Sequence, residues 1–261
     1  MPVAARAAVA PVLAAADIRA EQVTQLILGE TADVLGRERE WVRVRTDFDR
    51  YEGWVREGYL VELDSPAYAD WRVRATALGE GASVAVGGAR RRVPLRSRLI
   101  LDGTHVTFPD GARGALLEGR IREHADVMLE ALAMPAWAWA LARFEGAPYE
   151  WGGVTPRGID CSGVVQSSWL ARGLNLPRDA WQQAEALPFV GTSSAQPDDL
   201  LFFRGDASER ITHVAILAPD ETIVHATVAC GGVLRESWAD GARAATLRSR
   251  LVGVRRPPTP A

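Results

Sequence analysis

The stretch GIDCSGVVQSSW, residues Gly158 to Trp169, decides how this chain is read. It holds one of only two cysteines in 261 residues, set between Asp160 and Ser162 where turn-forming residues give way to a helical run. Asp160 or Ser162 can cap a helix beginning near Cys161, because a short oxygen-bearing side chain satisfies the free N–H groups of a first turn. A thiol there stands at the positive end of the helix dipole. That position, above all beside an imidazolium, favours thiolate and is expected to lower the thiol pKa below its usual value of about 8.5. The competing reading, a small buried hydrophobe, is the commoner fate of a lone cysteine.

Two of the four histidines shift the balance. His213 and His225 lie in apolar strand-like runs, THVAILA and TIVHATVA, on either side of the turn APDE. Their separation of 12 residues is even, so strand alternation places both on one face of a hairpin. A turn centred near Pro219 sets them almost directly opposite, with Cβ atoms about 4.5 to 5.5 Å apart. A base held in one tautomer by a second polar group activates a nucleophile: the thiol gives its proton to His213, and His225 orients His213. Two satisfied core histidines are the bland alternative. A zinc site from Cys161, His213 and His225 is a further one, weakened by the lack of a carboxylate partner, and no metal is expected. His105 and His124 are expected at the surface, and Cys230, before Gly231 and Gly232, as a bystander. Nothing matches a phosphate loop or a dinucleotide fingerprint, so no cofactor is expected.

The composition is that of a globular chain of two or three compact units, 48% apolar and 24% charged. A net charge of −3 gives no reason to expect a nucleic-acid partner, although all 30 basic residues are arginine. Two cysteines allow at most one disulfide, a count compatible with a reducing compartment. The opening MPVAARAAVAPVLAAAD carries two expectations, a signal peptide or, from Val12, Leu13 and Ile18, the run into a first strand. No run of eighteen strongly apolar residues predicts a transmembrane helix, and no membrane partner is expected.

Short strand signals punctuated by glycine and aspartate fill residues 1–64 and continue, in the same style, through 65–129. Helix formers take over near residue 130, with Pro135 between two helical pieces and Gly146 and Pro148 ending the second. Beyond lie the helix at Cys161, a loop through LNLPRDAWQQA, the strands DLLFFRG, THVAILA, TIVHATVA and RLVGVRR, and a frayed tail RPPTPA.

Taken in order, PYEWGG, GIDCSGVVQ, GLNLPRDAWQQ, DLLFF, THVAI and IVHA resemble the successive motifs of the NlpC/P60 cysteine peptidases. The resemblance implies an α+β fold with a papain-like catalytic domain over residues 130–261. It further implies that Cys161 is the nucleophile, His213 the general base and His225 its orienting partner, with Tyr149, Asp160 and Ser162 lining the cleft. Ala180 departs from the pattern, standing where many members carry serine or threonine, which bears on specificity rather than chemistry. The run QLILGETADVLGREREWVRVRTDFDRYEGWV resembles a bacterial SH3-like domain, as found in γ-D-glutamyl-L-diamino acid endopeptidases with two such modules, here 1–64 and 65–129. In that subgroup a module closes one end of the cleft, so that a murein peptide with a free N-terminal L-Ala is the expected substrate. Its ammonium needs carboxylates; Asp160, and in the YEGW turn Glu52 with Tyr51, are the candidates. The implied protein is a monomeric cytoplasmic recycling enzyme. A secreted wall hydrolase using its SH3-like modules as anchors, a murein-peptide binding protein without turnover, and an acyltransferase are the alternatives.

Overall fold

The computed structural model describes residues 1–205 and 209–258. The last residues of the tail, 259–261, on which the expectation of fraying partly falls, lie outside these. The chain divides into two compact units, Met1–Val127 and Met128–Ala261.

The first unit holds two β modules. Strands β1 (Val3–Ala5), β2 (Val9–Leu13), β3 (Gln22–Ile27), β4 (Thr31–Glu38), β5 (Trp41–Thr46), β6 (Glu52–Arg56) and β7 (Leu60–Glu62) form one sheet in the order β3-β2-β6-β5-β4-β1-β7. Alternation builds its core: in β5, Val42 and Val44 point inward while Arg43 is exposed. The alanine-rich opening is part of this barrel, with Ala5, Ala10 and Val12 in its core.

The block after residue 64 opens with a helix, α1 (Ser65–Arg74), where the sequence reading saw strands alone. Its signals were present: the Asp64 carboxylate accepts from the Ala67 N–H at 2.8 Å, and Pro66 sits in the first turn. Strands β8 (Ala77–Gly79), β9 (Ala82–Val86), β10 (Ala89–Val93), β11 (Arg98–Asp102), β12 (His105–Thr107), β13 (Arg113–Glu118) and β14 (Ile121–Glu123) follow, ordered β10-β9-β13-β12-β11-β8-β14. The two modules share a tie between Glu30 and Arg96, a buried ion pair at 2.7 Å, and Trp71 donates its indole N–H to the Gly29 carbonyl.

Helices α2 (His124–Leu132) and α3 (Ala136–Phe144) meet at Pro135 with a bend of 118°. Among the described residues no single helix is long and apolar enough to cross a membrane. The second unit continues with the hairpin β15 (Val154–Thr155) and β16 (Gly158–Ile159), then α4 (Cys161–Leu170). The segment read as a loop contains a short helix, α5 (Ala180–Ala186), started by a reciprocal cap in which Asp179 and Gln182 satisfy each other's backbone N–H. The sheet that follows comprises β17 (Phe189–Val190), β18 (Leu200–Arg204), β19 (Ile211–Ala218), β20 (Thr222–Thr227), β21 (Gly232–Ser237) and, after α6 (Ala242–Ser249), β22 (Leu251–Arg255). Its order is β17-β22-β18-β19-β20-β21, antiparallel at each pairing, with α3, α4 and α5 packed against it.

Helix α4 is buried along its whole length, and what fixes its first turn is a buried ion pair. Asp160 caps the helix by accepting from the Gly163 N–H at 2.7 Å. The same carboxylate accepts from Gly152 N–H at 2.8 Å and from Arg178 through both Nη1 and Nη2, at 3.0 and 2.6 Å. The guanidinium also donates to Ser162 Oγ and to the Gly153 carbonyl. Gly163 is required where it stands, since a Cβ there would lie 2.4 Å from the Gly153 oxygen.

Arg178→Met therefore leaves a buried carboxylate without its cation and is expected to lower stability by about 3 to 5 kcal/mol. The double change Asp160→Asn with Arg178→Met should cost less than the single one. Urea titration followed by tryptophan fluorescence measures both; a single variant as stable as the parent would show that the pair does not anchor α4.

Candidate functional site

Cys161 opens α4 and faces β19: its Sγ donates to the carbonyl of Thr212, the residue before His213, at 4.0 Å. The dipole argument for a lowered thiol pKa does not hold in this setting. The side chain is 4% exposed, and burial first, then the charge of Asp160, push the thiol up to about 12. Bonds from the Val214 and Ser162 backbone and the charge of Arg178 pull the other way without prevailing. An uncompensated thiolate loses more by leaving water than the first helical turn returns.

The histidines share a face of the β19–β20 hairpin, but not as directly opposed residues. Ile216 pairs with Val224 and Ala218 with Thr222, so the turn is centred on Asp220, one residue later than expected. Asp220 and Glu221 adopt left-handed backbone, φ 58° and 51°, and Thr222 Oγ1 donates to the Pro219 carbonyl. The register is thereby shifted by two, and His213 and His225 are diagonal neighbours. Their rings meet edge to face at 5.0 Å between centroids, with His213 Nε2 2.8 Å from His225 Nδ1. His213 also lies across from Phe203 of β18, ring to ring at 5.6 Å.

The chain of contacts goes two residues further than the sequence reading found. His225 Nε2 lies 2.7 Å from Glu236 Oε1 on β21, again a diagonal pair, since His225 faces Leu234 in register. Arg243 of α6 donates through Nε to both Glu236 oxygens, at 2.7 and 2.8 Å, and through Nη2 to Thr227 Oγ1. Burial alone would raise the Glu236 carboxyl, but the hydrogen bonds of His225 and Arg243 hold it down to about 2. Burial, then the charges of His225 and Arg243, push the His213 imidazole down to about 3.

These positions fix the tautomers. An ionised Glu236 takes the Nε2–H of His225, the Nδ1 lone pair of His225 then takes the Nε2–H of His213, and His213 is left with a lone pair on Nδ1. The chain of hydrogen bonds thus runs from Arg243 to an acceptor lone pair on His213. The carboxylate that the sequence reading missed had one signal, the alternation of GGVLRES as the strand after His225.

Tyr149 is half-buried, and its phenol is raised by burial, then by Cys161 and Asp160, so it stays an O–H donor. Asp160 and Ser162, expected to line the cleft, are 6% and 5% exposed and committed to the Arg178 clamp; both Asp160 oxygens already hold donors of their own chain. Glu52 and Tyr51 belong to the first unit. The Glu52 carboxylate pairs with Arg43 and Arg45 at 2.9 and 3.0 Å, and the Tyr51 N–H donates to Thr46 Oγ1. His105 is exposed and His124 half-buried; Cys230 is an exposed free thiol in a short turn after β20. Among the described residues no group of three or more His, Cys, Asp or Glu is placed to hold a metal ion.

The model of the NlpC/P60 family matches residues 146–255, and that of the bacterial dipeptidyl-peptidase SH3 domain matches residues 12–60. The bifunctional muramidase/DL-endopeptidase CwlT of Bacillus subtilis is 39% identical over 102 residues, 38% of this chain and 28% of its own length. The murein DD-endopeptidase MepS/murein LD-carboxypeptidase of Escherichia coli is 37% identical over 94 residues, 36% of this chain and 49% of its own. The chain thus spans less than half the length of these two relatives. The crystal structure of an NlpC/P60 family protein from Bacillus cereus superposes with a TM-score of 0.79 at 21% identity, covering 98% of this chain and 99% of that one, which establishes the shared fold. Behind an N-terminal bacterial SH3 domain, this chain carries an NlpC/P60 domain with a papain-like fold.

Proposed function

We propose that the protein is a cysteine endopeptidase of murein peptides. The observation that carries the reading is the hydrogen-bonded chain from Arg243 through Glu236 and His225 to His213, which ends beside the carbonyl that receives the Cys161 thiol. With both partners neutral at rest, attack on a peptide carbonyl and proton transfer from Sγ to His213 Nδ1 proceed together. The negative oxygen so formed meets the Cys161 N–H, free in the first turn of its helix, and the Tyr149 hydroxyl. His213 then passes its proton to the leaving amine, which departs as the C–N bond breaks and leaves a thioester. Water, losing its proton to His213, attacks the thioester; the acid is released and the proton returns to sulfur.

The finer reading is that the bond cut joins γ-D-glutamate to the diamino acid in peptides with a free N-terminal L-Ala. An SH3 domain of the kind named for bacterial dipeptidyl peptidases supports it, since removing L-Ala-γ-D-Glu is a dipeptidyl cut made from a free amino end. On this reading the enzyme acts on released fragments in the cytoplasm, as a recycling activity.

Turnover of L-Ala-γ-D-Glu-meso-diaminopimelate, its N-acetylated form and intact sacculi, followed by mass spectrometry, tests this. Release of diaminopimelate from the free peptide alone is expected. Cleavage of the acetylated peptide at an equal rate would remove the free-amine requirement, and cleavage of sacculi would point to a wall hydrolase. Cys161→Ala should abolish turnover and Cys230→Ala leave it intact.

The neutral resting pair has its own signature. Alkylation of Cys161 by iodoacetamide, read peptide by peptide to separate it from Cys230, should rise continuously from pH 6 to pH 9. A preformed thiolate would instead give a plateau reaching far into acid. Because the folded His213 pKa lies below the unfolded value, the unfolded state binds the extra proton as pH falls below about 6.5. His213 therefore contributes stability above that pH and loses it toward pH 3, so the melting temperature of the parent should fall over this window more steeply than that of His213→Gln.

Glu236→Ala should lower kcat by on the order of 10² or more through loss of the correct tautomer, with little change in KM. Wild-type turnover in this variant would leave Glu236 no part in positioning the base.

A further inference from the structure

Within the first unit, between its two β modules, lies a cavity of about 230 Å³ that no step of the chemistry above employs. Arg6, from the segment between β1 and β2, lines it together with Arg91 and Arg92 of β10 and Asp110. Leu28 and Phe108 give it an apolar floor. Arg91 is fixed: its Nη1 donates to both Asp110 oxygens, at 3.1 and 2.8 Å, and its guanidinium lies 4.9 Å over the Phe108 ring. Asp110 therefore cancels one of three positive charges. Arg6 and Arg92 are exposed and have no carboxylate partner among the described residues, whereas Arg43, Arg90 and Arg113 in the same unit do.

Two unpaired guanidiniums over an apolar floor call for an anion attached to a small apolar group. A guanidinium fork matches a carboxylate in plane and spacing, binding it through two parallel hydrogen bonds. The volume falls below the roughly 300 to 1,000 Å³ of pockets that engulf a whole small molecule, so the cavity takes the end of a ligand. We propose that this cavity is a binding site for the carboxyl terminus of a short peptide ending in a small apolar residue, its carboxylate held by Arg6 and Arg92 and its side chain against Leu28 and Phe108. The assignment rests on the lining alone and stands or falls apart from the peptidase reading.

The test uses the full chain and three probes: N-acetyl-D-alanyl-D-alanine, its C-terminal amide, and inorganic phosphate. Calorimetry gives affinity, and the ring signals of Phe108 in NMR spectra locate binding. The acid is expected to bind, to shift the Phe108 signals, and to weaken as salt rises; the amide is expected not to bind. Arg6→Gln with Arg92→Gln, both at exposed positions, should weaken the acid on the order of tenfold or more, from the loss of hydrogen bonds to a charged group. Equal binding of acid and amide, or unchanged affinity in the double variant, would overturn the site. Binding of phosphate at Phe108 with the acid excluded would overturn the carboxylate assignment, and no binding of the acid at all would overturn the proposal outright.

Discussion

The buried pair of Asp160 and Arg178 is the constraint on which the candidate site depends. A carboxylate taken out of water costs several kcal/mol unless it is paired and hydrogen-bonded, and here one such group meets several demands at once. It caps α4, receives the Gly152 N–H of the preceding turn, and is held by a guanidinium that also reaches Ser162 and Gly153. Three separate segments are thus tied to one residue, and that residue is the immediate neighbour of Cys161. The position of the thiol is set less by its own contacts, of which the Thr212 carbonyl at 4.0 Å is a weak one, than by the anchoring of everything around it.

The same device recurs on the other side of the site. Arg243 holds Glu236, Glu236 orients His225, and His225 orients His213, each step crossing diagonally from one strand to the next. Diagonal placement matters because directly opposed residues would bring the two rings to the same level of the sheet. A two-residue offset lets one ring approach the other edge to face, with nitrogen aimed at nitrogen. The left-handed residues Asp220 and Glu221 create that offset, so a detail of turn geometry decides which nitrogen of His213 meets His225.

The parts legible in the sequence were those set by local rules. Helix formers after a capping aspartate gave α4, short apolar runs gave β18 to β20, and even spacing put both histidines on one face. Hairpin register escaped, because it depends on a turn whose two non-glycine residues take backbone conformations that such residues seldom adopt. Arg178, Glu236 and Arg243 escaped for a different reason. Each works through a partner on another element, and a sequence read segment by segment shows a charged residue in each place without showing what it faces. The ionisation state of Cys161 is not legible in the sequence, because the dipole of a helix start is a local signal, whereas burial is a property of the whole fold. Helices α1 and α5 also carry local signals, the Asp64 cap with Pro66 in the one and the reciprocal cap of Asp179 and Gln182 in the other.

Charge bookkeeping across the site gives these observations a common sense. Arg178 cancels Asp160, Arg243 cancels Glu236, and the thiol and imidazole rest uncharged, so the buried centre carries no net charge before substrate arrives. Guanidinium is the cation suited to both outer positions, because it remains protonated where a buried lysine would shed its proton. In the proposed reaction, proton transfer during attack on a substrate carbonyl turns the neutral pair into an imidazolium and an oxyanion. On that reading positive charge grows at the end of the chain that leads to Glu236, and negative charge near the positive end of the α4 dipole. Each developing charge of the proposed reaction would meet a dipole or carboxylate fixed in place beforehand, which is the condition under which a dry site stabilises a transition state more than water can.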